Sequence, residues 1–194
     1  MTVAKATFSI VVDVCDQAGE ITRNLPSLLS QQYDGDYEVI VVDESSTDET
    51  SDILKQQKLK CPKLYTTFLP KYLYQKNKRS LALLIGRKAS KKEWIVFTDI
   101  RTENLHETWL EELSKVTSPS TALILGYVNK KNGDLKLLTY ETLEQANSII
   151  AKAEHWREGT GRCKWMRHLQ PKTKYNFIAM RTACADDFLR LLGK

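Results

Sequence analysis

The chain has 194 residues, 42% hydrophobic and 27% charged, with a formal net charge of +5. That length suits one domain with a substantial core and is short for two, and the composition excludes a disordered or low-complexity chain. No apolar stretch approaches the roughly 20 residues that span a bilayer, and MTVAKATFSIVVDV enters a strand pattern without a small-residue cleavage site, so a cytoplasmic protein is expected.

The first predicted element is a strand over 8–14, a continuous apolar run of the kind buried on both faces in a parallel sheet. A helix over 24–32 follows, in which Ile21, Leu25, Leu28 and Leu29 share a face and Pro26 falls in the first turn, where proline is tolerated. A strand over 38–42 leads to a helix over 47–59, then to a strand over 64–69 closed by Pro70. Leu81, Leu84, Ile85 and Lys88 have helical spacing, which predicts a helix over 78–89 before a strand over 94–98. A helix over 105–116 turns Trp109, Leu110 and Leu113 inward. Beyond it, 121–128 is strand-like, and Lys131-Asn132-Gly133-Asp134 carries the Asn-Gly signal of a tight hairpin into 135–140. An amphipathic helix over 142–156, a basic glycine-containing loop over 158–174, a strand over 175–180 and a helix over 183–192 complete the chain. Alternating strands and helices predict an α/β fold, a doubly wound and mostly parallel sheet flanked by helices, made mixed by the C-terminal hairpin and strand. Without a repeat or linker, residues 1–194 read as a single domain.

Three of these strands end in acidic residues. Phe8-Ser9-Ile10-Val11-Val12 runs into Asp13-Val14-Cys15-Asp16, Val39–Val42 into Asp43-Glu44, and Trp94-Ile95-Val96-Phe97-Thr98 into Asp99-Ile100-Arg101. In open α/β sheets ligands bind at that carboxyl edge. Ser46 and Glu49 have the spacing of a capping box, and Asp48 favours the positive end of the following helix. Cys15, Cys61, Cys163 and Cys184 lack paired metal-ligand spacing and read as reduced thiols; His106, His155 and His168 show no ligand pattern. Basic residues cluster at 71–79, at Arg87, Lys88, Lys91 and Lys92, and at 162–167. Aromatics are not interleaved with them as a stacking platform requires, so nucleic acid is not expected as a partner.

A dinucleotide fold would place G-x-G-x-x-G after the first strand, but Asp13-Val14-Cys15-Asp16-Gln17-Ala18-Gly19-Glu20 holds one glycine, and a P-loop is absent. The residues instead resemble a family 2 glycosyltransferase with the nucleotide-sugar-binding GT-A fold. Val41-Val42-Asp43-Glu44-Ser45-Ser46-Thr47-Asp48 matches the family's Val-Val-Asp-Asp-Gly-Ser-Thr-Asp, and SLLSQQYDGDYEVIVVD is close to its usual approach. The run from Ile85 to Asp99 is similar to the approach to its metal-binding Asp-x-Asp. The resemblance implies a GT-A-type sheet, with a nucleotide-binding half over 1–117 and a partial acceptor-side half over 118–194. It implies inverting transfer of a sugar from a nucleotide-diphosphate donor to an acceptor, in cell-surface polysaccharide or glycolipid synthesis. Nucleoside contacts are implied for Asp13, Cys15, Asp43 and Glu44, and diphosphate or metal contacts for Asp99, Arg101 and Arg79. Asp99 is the implied ligand for a divalent cation, Mn or Mg, acting as a Lewis acid. A basic cluster beside Arg79 suits an anionic donor, or peripheral attachment at the inner face of a membrane with a lipid-linked acceptor.

The chain departs from the family pattern in three places. Asp99-Ile100-Arg101 stands where Asp-x-Asp is usual; Asp13 and Cys15 replace the proline and tyrosine of the first motif; and the resemblance ends before the acidic segment that supplies a general base, with Asp186 and Asp187 at its margin. For Arg101, one account keeps the charge balance, because a carboxylate plus a guanidinium sums to zero as two carboxylates plus a divalent cation do. A second makes the domain a catalytically inactive binding or scaffolding module. A third makes Arg101 a surface residue paired with Asp99 or Glu103, and Glu103 is also a substitute cation ligand.

Overall fold

The computed structural model describes residues 5–69, 78–103, 105–128, 132, 134–145 and 177–192. Its elements in chain order are β1 (Phe8–Val14), α1 (Ala18–Leu29), β2 (Tyr37–Asp43), α2 (Thr50–Lys60), β3 (Leu64–Phe68), α3 (Lys78–Ala89), β4 (Trp94–Asp99), α4 (Trp109–Lys115), β5 (Leu123–Val128), β6 (Leu135–Tyr140), β7 (Phe177–Arg181) and α5 (Thr182–Leu192). The strands form one seven-stranded sheet in the order β3-β2-β1-β4-β7-β5-β6. Neighbours from β3 to β4 are parallel, while β7 is antiparallel to both β4 and β5, and β5 to β6. The expected α/β sheet with a C-terminal hairpin and strand is therefore present, and the late strand β7 is inserted between the parallel block and the hairpin.

Every residue of β1 is buried, as are all but one of β2. Side chains alternate between faces in a strand, and here both faces are covered. One face carries Ile10, Val12, Val39, Val41 and Val96 against Ile21 and Leu25 of α1, Leu54 of α2 and Trp109, Leu110 and Leu113 of α4. The other carries Val11, Ile40, Val42, Ile95 and Phe97 against Ala82 and Leu83 of α3 and Ala185 and Phe188 of α5. Strand order explains the division. The chain advances from β1 to β3 in one direction, then returns across β2 and β1 to reach β4. With a constant hand of crossover, the reversal sends α3 to the opposite face from α1 and α2.

α1 begins well before the predicted 24–32, so Pro26 lies in its interior rather than in the first turn. The amide that Pro26 lacks would have served the carbonyl of Thr22. Both residues are exposed, where water can take that place. α2 begins at Thr50 instead of residue 47, and α4 is shorter than the predicted 105–116. The helix over 78–89 and the strands over 8–14 and 135–140 have the expected bounds. The hairpin tip at Gly133, the loop over 158–174 and most of the helix over 142–156 lie outside the described residues. Among the described residues no helix is long and apolar enough to cross a membrane, and Cys15, Cys61 and Cys184 are free thiols.

Gly126 of β5 sits opposite Phe177 of β7. A Cβ there would lie 1.8 Å from the Phe177 ring, which itself meets Trp109 edge-on with centroids 4.9 Å apart. The ring cannot swing away without losing that aromatic contact, worth about 1 kcal/mol beyond its buried area. Gly126→Ala is therefore expected to destabilise the fold by about 1–3 kcal/mol through overpacking, measured as a lowered urea midpoint with an unchanged slope.

Candidate functional site

Strand register brings the acidic strand ends together. Asp13 of β1 is the Cα partner of Val42 on one side and of Asp99 on the other, so the two aspartates stand on adjacent strands about 4.8 Å apart. They share a row, and hence a face, with Val42. Asp13 is buried and Asp99 is half-buried. Their location is the crevice between β1 and β4, where the order of connection reverses and the flanking helices part to opposite faces. Glu44 extends the β2 ladder by donating its N–H to the Val14 carbonyl at 2.8 Å, and the alternation puts it on the face of Asp13 and Asp99. Asp43 belongs to the neighbouring row with Val14, on the α1/α2 face. There its Oδ1 accepts the Ser46 N–H at 2.8 Å and its Oδ2 the Ser51 hydroxyl at 2.6 Å. Asp43 thus shapes the site by holding the β2–α2 turn closed.

The two loops that frame this edge cap each other. Asp16 Oδ1 accepts the N–H of Thr47 at 2.6 Å and of Asp48 at 3.3 Å, together with the Thr47 hydroxyl at 3.1 Å. In return Asp48 Oδ2 accepts the Ala18 N–H at the start of α1 at 3.1 Å, while its Oδ1 accepts the Thr50 N–H at the start of α2 at 3.0 Å. Ser46 Oγ takes the Asp16 N–H at 2.9 Å, and Thr50 Oγ1 the Gln17 N–H at 3.1 Å. Ser46 therefore serves the opposite loop instead of forming the expected capping box with Glu49, which makes no side-chain cap. Asp16 and Ser45 adopt left-handed backbone, φ 51° and 68°, a conformation that aspartate tolerates better than most side chains. The Thr47 N–H, foremost among these donors, holds the Asp16 carboxyl below its ordinary value. For Asp48, desolvation pushes upward, but the hydrogen bonds from Thr50 and Ala18 outweigh it and leave that carboxyl lowered as well. Asp48 was legible in sequence as a helix-start residue and Asp16 as one of the acidic residues that end the first strand. Their reciprocal partners depend on the parallel pairing of β1 and β2.

Asp99 is clamped by its near neighbour. Its Oδ1 accepts both the backbone N–H and the Nε–H of Arg101 at 2.9 Å, and its Oδ2 accepts from Arg101 Nη2. The side chains are 14% and 40% exposed respectively, so the guanidinium is the more accessible partner. Asn24 of α1 fixes the turn from below by donating to the Ile100 carbonyl at 2.7 Å. Glu103 pairs with Arg23 at 3.9 Å rather than with Arg101. These residues do not fit a divalent cation. Both oxygens of Asp99 already face a guanidinium, Glu103 is turned to α1, and the described residues contain no cluster of three potential ligand side chains.

The remaining sequence-predicted residues divide by position. Cys15 is exposed just beyond β1, and the backbone of Arg79 lies in the first turn of α3, which starts from the same edge. Lys88 and Lys91 are exposed at the opposite edge of the sheet, where Arg87 and Lys92 pair with Asp186 and Asp36. Asp186 and Asp187 also lie away from the crevice, engaged by Arg87 and Arg190. A concavity of about 570 Å³ between α1 and α2, lined by Gly19, Thr22, Arg23 and Ile53, contains none of the predicted site residues.

Known proteins share this fold. The family model for glycosyl transferase family 2 matches residues 9–184. The fold is similar to a mannosyltransferase from Pyrobaculum calidifontis solved with GDP-mannose and Mn2+, at TM-score 0.59 and 17% identity over 96% of this chain and 47% of that one. It is also similar to glucosyl-3-phosphoglycerate synthase from Mycobacterium tuberculosis with uridine diphosphate, at TM-score 0.56 and 17% identity over 92% and 57%. The chain thus spans about half the length of the solved structures it matches. Comparison with curated proteins finds no match.

Because Asp16 and Asp48 titrate lower when folded, protonation favours unfolding. Their contribution is present above about pH 4, the ordinary carboxylate range, and is lost as pH falls through the folded values. Asp48→Ala is expected to cost about 1 kcal/mol at neutral pH. Urea midpoints measured from neutral to acid pH should show that cost shrinking as the wild-type carboxylates protonate.

Proposed function

The chain belongs to glycosyl transferase family 2, and from that membership we propose that it binds a nucleotide-diphosphate sugar at the β1/β4 crevice and takes part in transfer of the sugar to an acceptor hydroxyl. The observation that carries this reading is the register pairing of Asp13 with Asp99 at the point where the strand order reverses, the place at which open α/β sheets accept ligands. Asp13 and Glu44 offer carboxylate acceptors for the hydroxyl and N–H groups of a nucleoside. Cys15 lies beside them, and Asp43 holds their loop. Contact with the diphosphate is assigned to Arg101 and to Arg79, whose backbone lies at the start of α3. Charge grows on that leaving group as the anomeric bond breaks, and a positioned guanidinium stabilises it.

The nucleotide-binding half is assigned to 1–117 and the partial acceptor-side half to 118–194, with inverting transfer in cell-surface polysaccharide or glycolipid synthesis. The basic cluster at 71–79, beside Arg79, is assigned to attraction toward the anionic donor or to peripheral attachment at the inner face of a membrane bearing a lipid-linked acceptor. A second reading, a non-catalytic binding module, is favoured by the commitment of Asp99 to Arg101. It predicts nucleotide binding without hydrolysis or transfer of the sugar.

Calorimetric titration with UDP and GDP tests the donor site. Binding of one of them is expected, weakened about tenfold or more in Glu44→Gln with little change in melting temperature, as befits loss of a charged acceptor. Absence of heat with both nucleotides, with and without Mn2+, would remove the proposal.

A further inference from the structure

We propose that the Asp99–Arg101 pair replaces the divalent cation, so that this chain binds the diphosphate of its donor through a guanidinium and without metal. The inference rests on the donor-site reading above and specifies how that site meets negative charge. Three observations carry it. First, Arg101 grips the Asp99 carboxylate with Nε and Nη2 at once, and its own backbone N–H closes on the same Oδ1. A metal at Asp99 would have to compete with these donors for the carboxylate.

Second, the clamp fixes the position of the positive charge. The turn from Asp99 to Thr102 is closed by the Thr102 N–H on the Asp99 carbonyl at 2.9 Å and pinned by Asn24 on Ile100. Ile100 is itself buried at 1% exposure. A guanidinium on this turn cannot wander as one on a free loop does, so little conformational freedom remains to be lost when an anion arrives. With Nε and Nη2 directed at Asp99, the Nη1–Nη2 edge is the fork that meets phosphate oxygens, a planar match that a lysine ammonium does not offer.

Third, the carboxylates that hold the rim loops are already engaged in hydrogen bonds. Asp16 and Asp48 are satisfied by backbone N–H groups, and Asp43 by Ser46 and Ser51. The acidic appearance of this edge therefore overstates the field that a diphosphate meets. A partly exposed guanidinium is held on Asp99, the register partner of Asp13, where the family pattern would place a metal between carboxylates.

Titration of the full chain with UDP, GDP and inorganic pyrophosphate, in EDTA and in Mn2+, tests the proposal. Affinity for the nucleotide in EDTA is expected to lie within about twofold of that in Mn2+. Arg101→Gln should weaken nucleotide and pyrophosphate by about tenfold or more while leaving the affinity for the free nucleoside unchanged. Arg101→Lys should fall between, and melting temperatures of both variants identify any general loss of fold. Binding that appears only with Mn2+, or equal loss of nucleoside and nucleotide in a folded Arg101→Gln, overturns the cation replacement alone. No binding of either nucleotide in any condition overturns it together with the donor-site reading.

Discussion

Burial of β1 from both edges and both faces governs the remainder of the structure. All seven of its residues pair in parallel with β2 and six of them with β4, so its backbone groups are satisfied by strands that must be brought there through crossovers. Each apolar side chain along it gains about 1.5–3 kcal/mol only if a helix covers it, and α1 and α3 do so from opposite sides. Because β1 is where the chain turns back on its own strand order, those helices leave a gap at its carboxyl end. The crevice is a consequence of how the core is closed. Asp13, one position from the end of the strand, is the residue that this geometry delivers to it.

Carboxylates at this edge have separate duties, which resolves the crowding that the sequence alone suggests. Asp16 and Asp48 exchange hydrogen bonds between the β1–α1 and β2–α2 loops, and Asp43 secures the second of these loops from within. They keep the rim in shape. Asp13, Glu44 and Asp99 share the other face, the last neutralised by Arg101. Local engagement of Asp16, Asp43, Asp48 and Asp99 reduces the need for a mobile counter-ion and trades adaptability for a site whose charges are already in place.

Much of this architecture was legible in the chain. Largely apolar runs rich in β-branched residues at Phe8–Val14 and Trp94–Asp99 signal strands covered on both sides, since only such strands dispense with a polar face. The acidic residues that end three of them marked the ligand edge, and the resemblance around Val41–Asp48 pointed to the family. Helix starts were read less well. The beginning of α1 is set by Asp48 from another loop, and Ser46 caps across to Asp16. Local spacing carries no trace of either bond.

The order of apolar and acidic residues along the sequence determined that a helix-covered parallel sheet would form and that carboxylates would gather at one end of it, because strand periodicity and burial are properties of short segments. Which carboxylates face the crevice, which hold loops together, and that Arg101 closes on Asp99, were decided only when β1, β2 and β4 came into register. Those are contacts between side chains and distant backbone, or a turn pinned from another helix, and their geometry exists only in the folded chain.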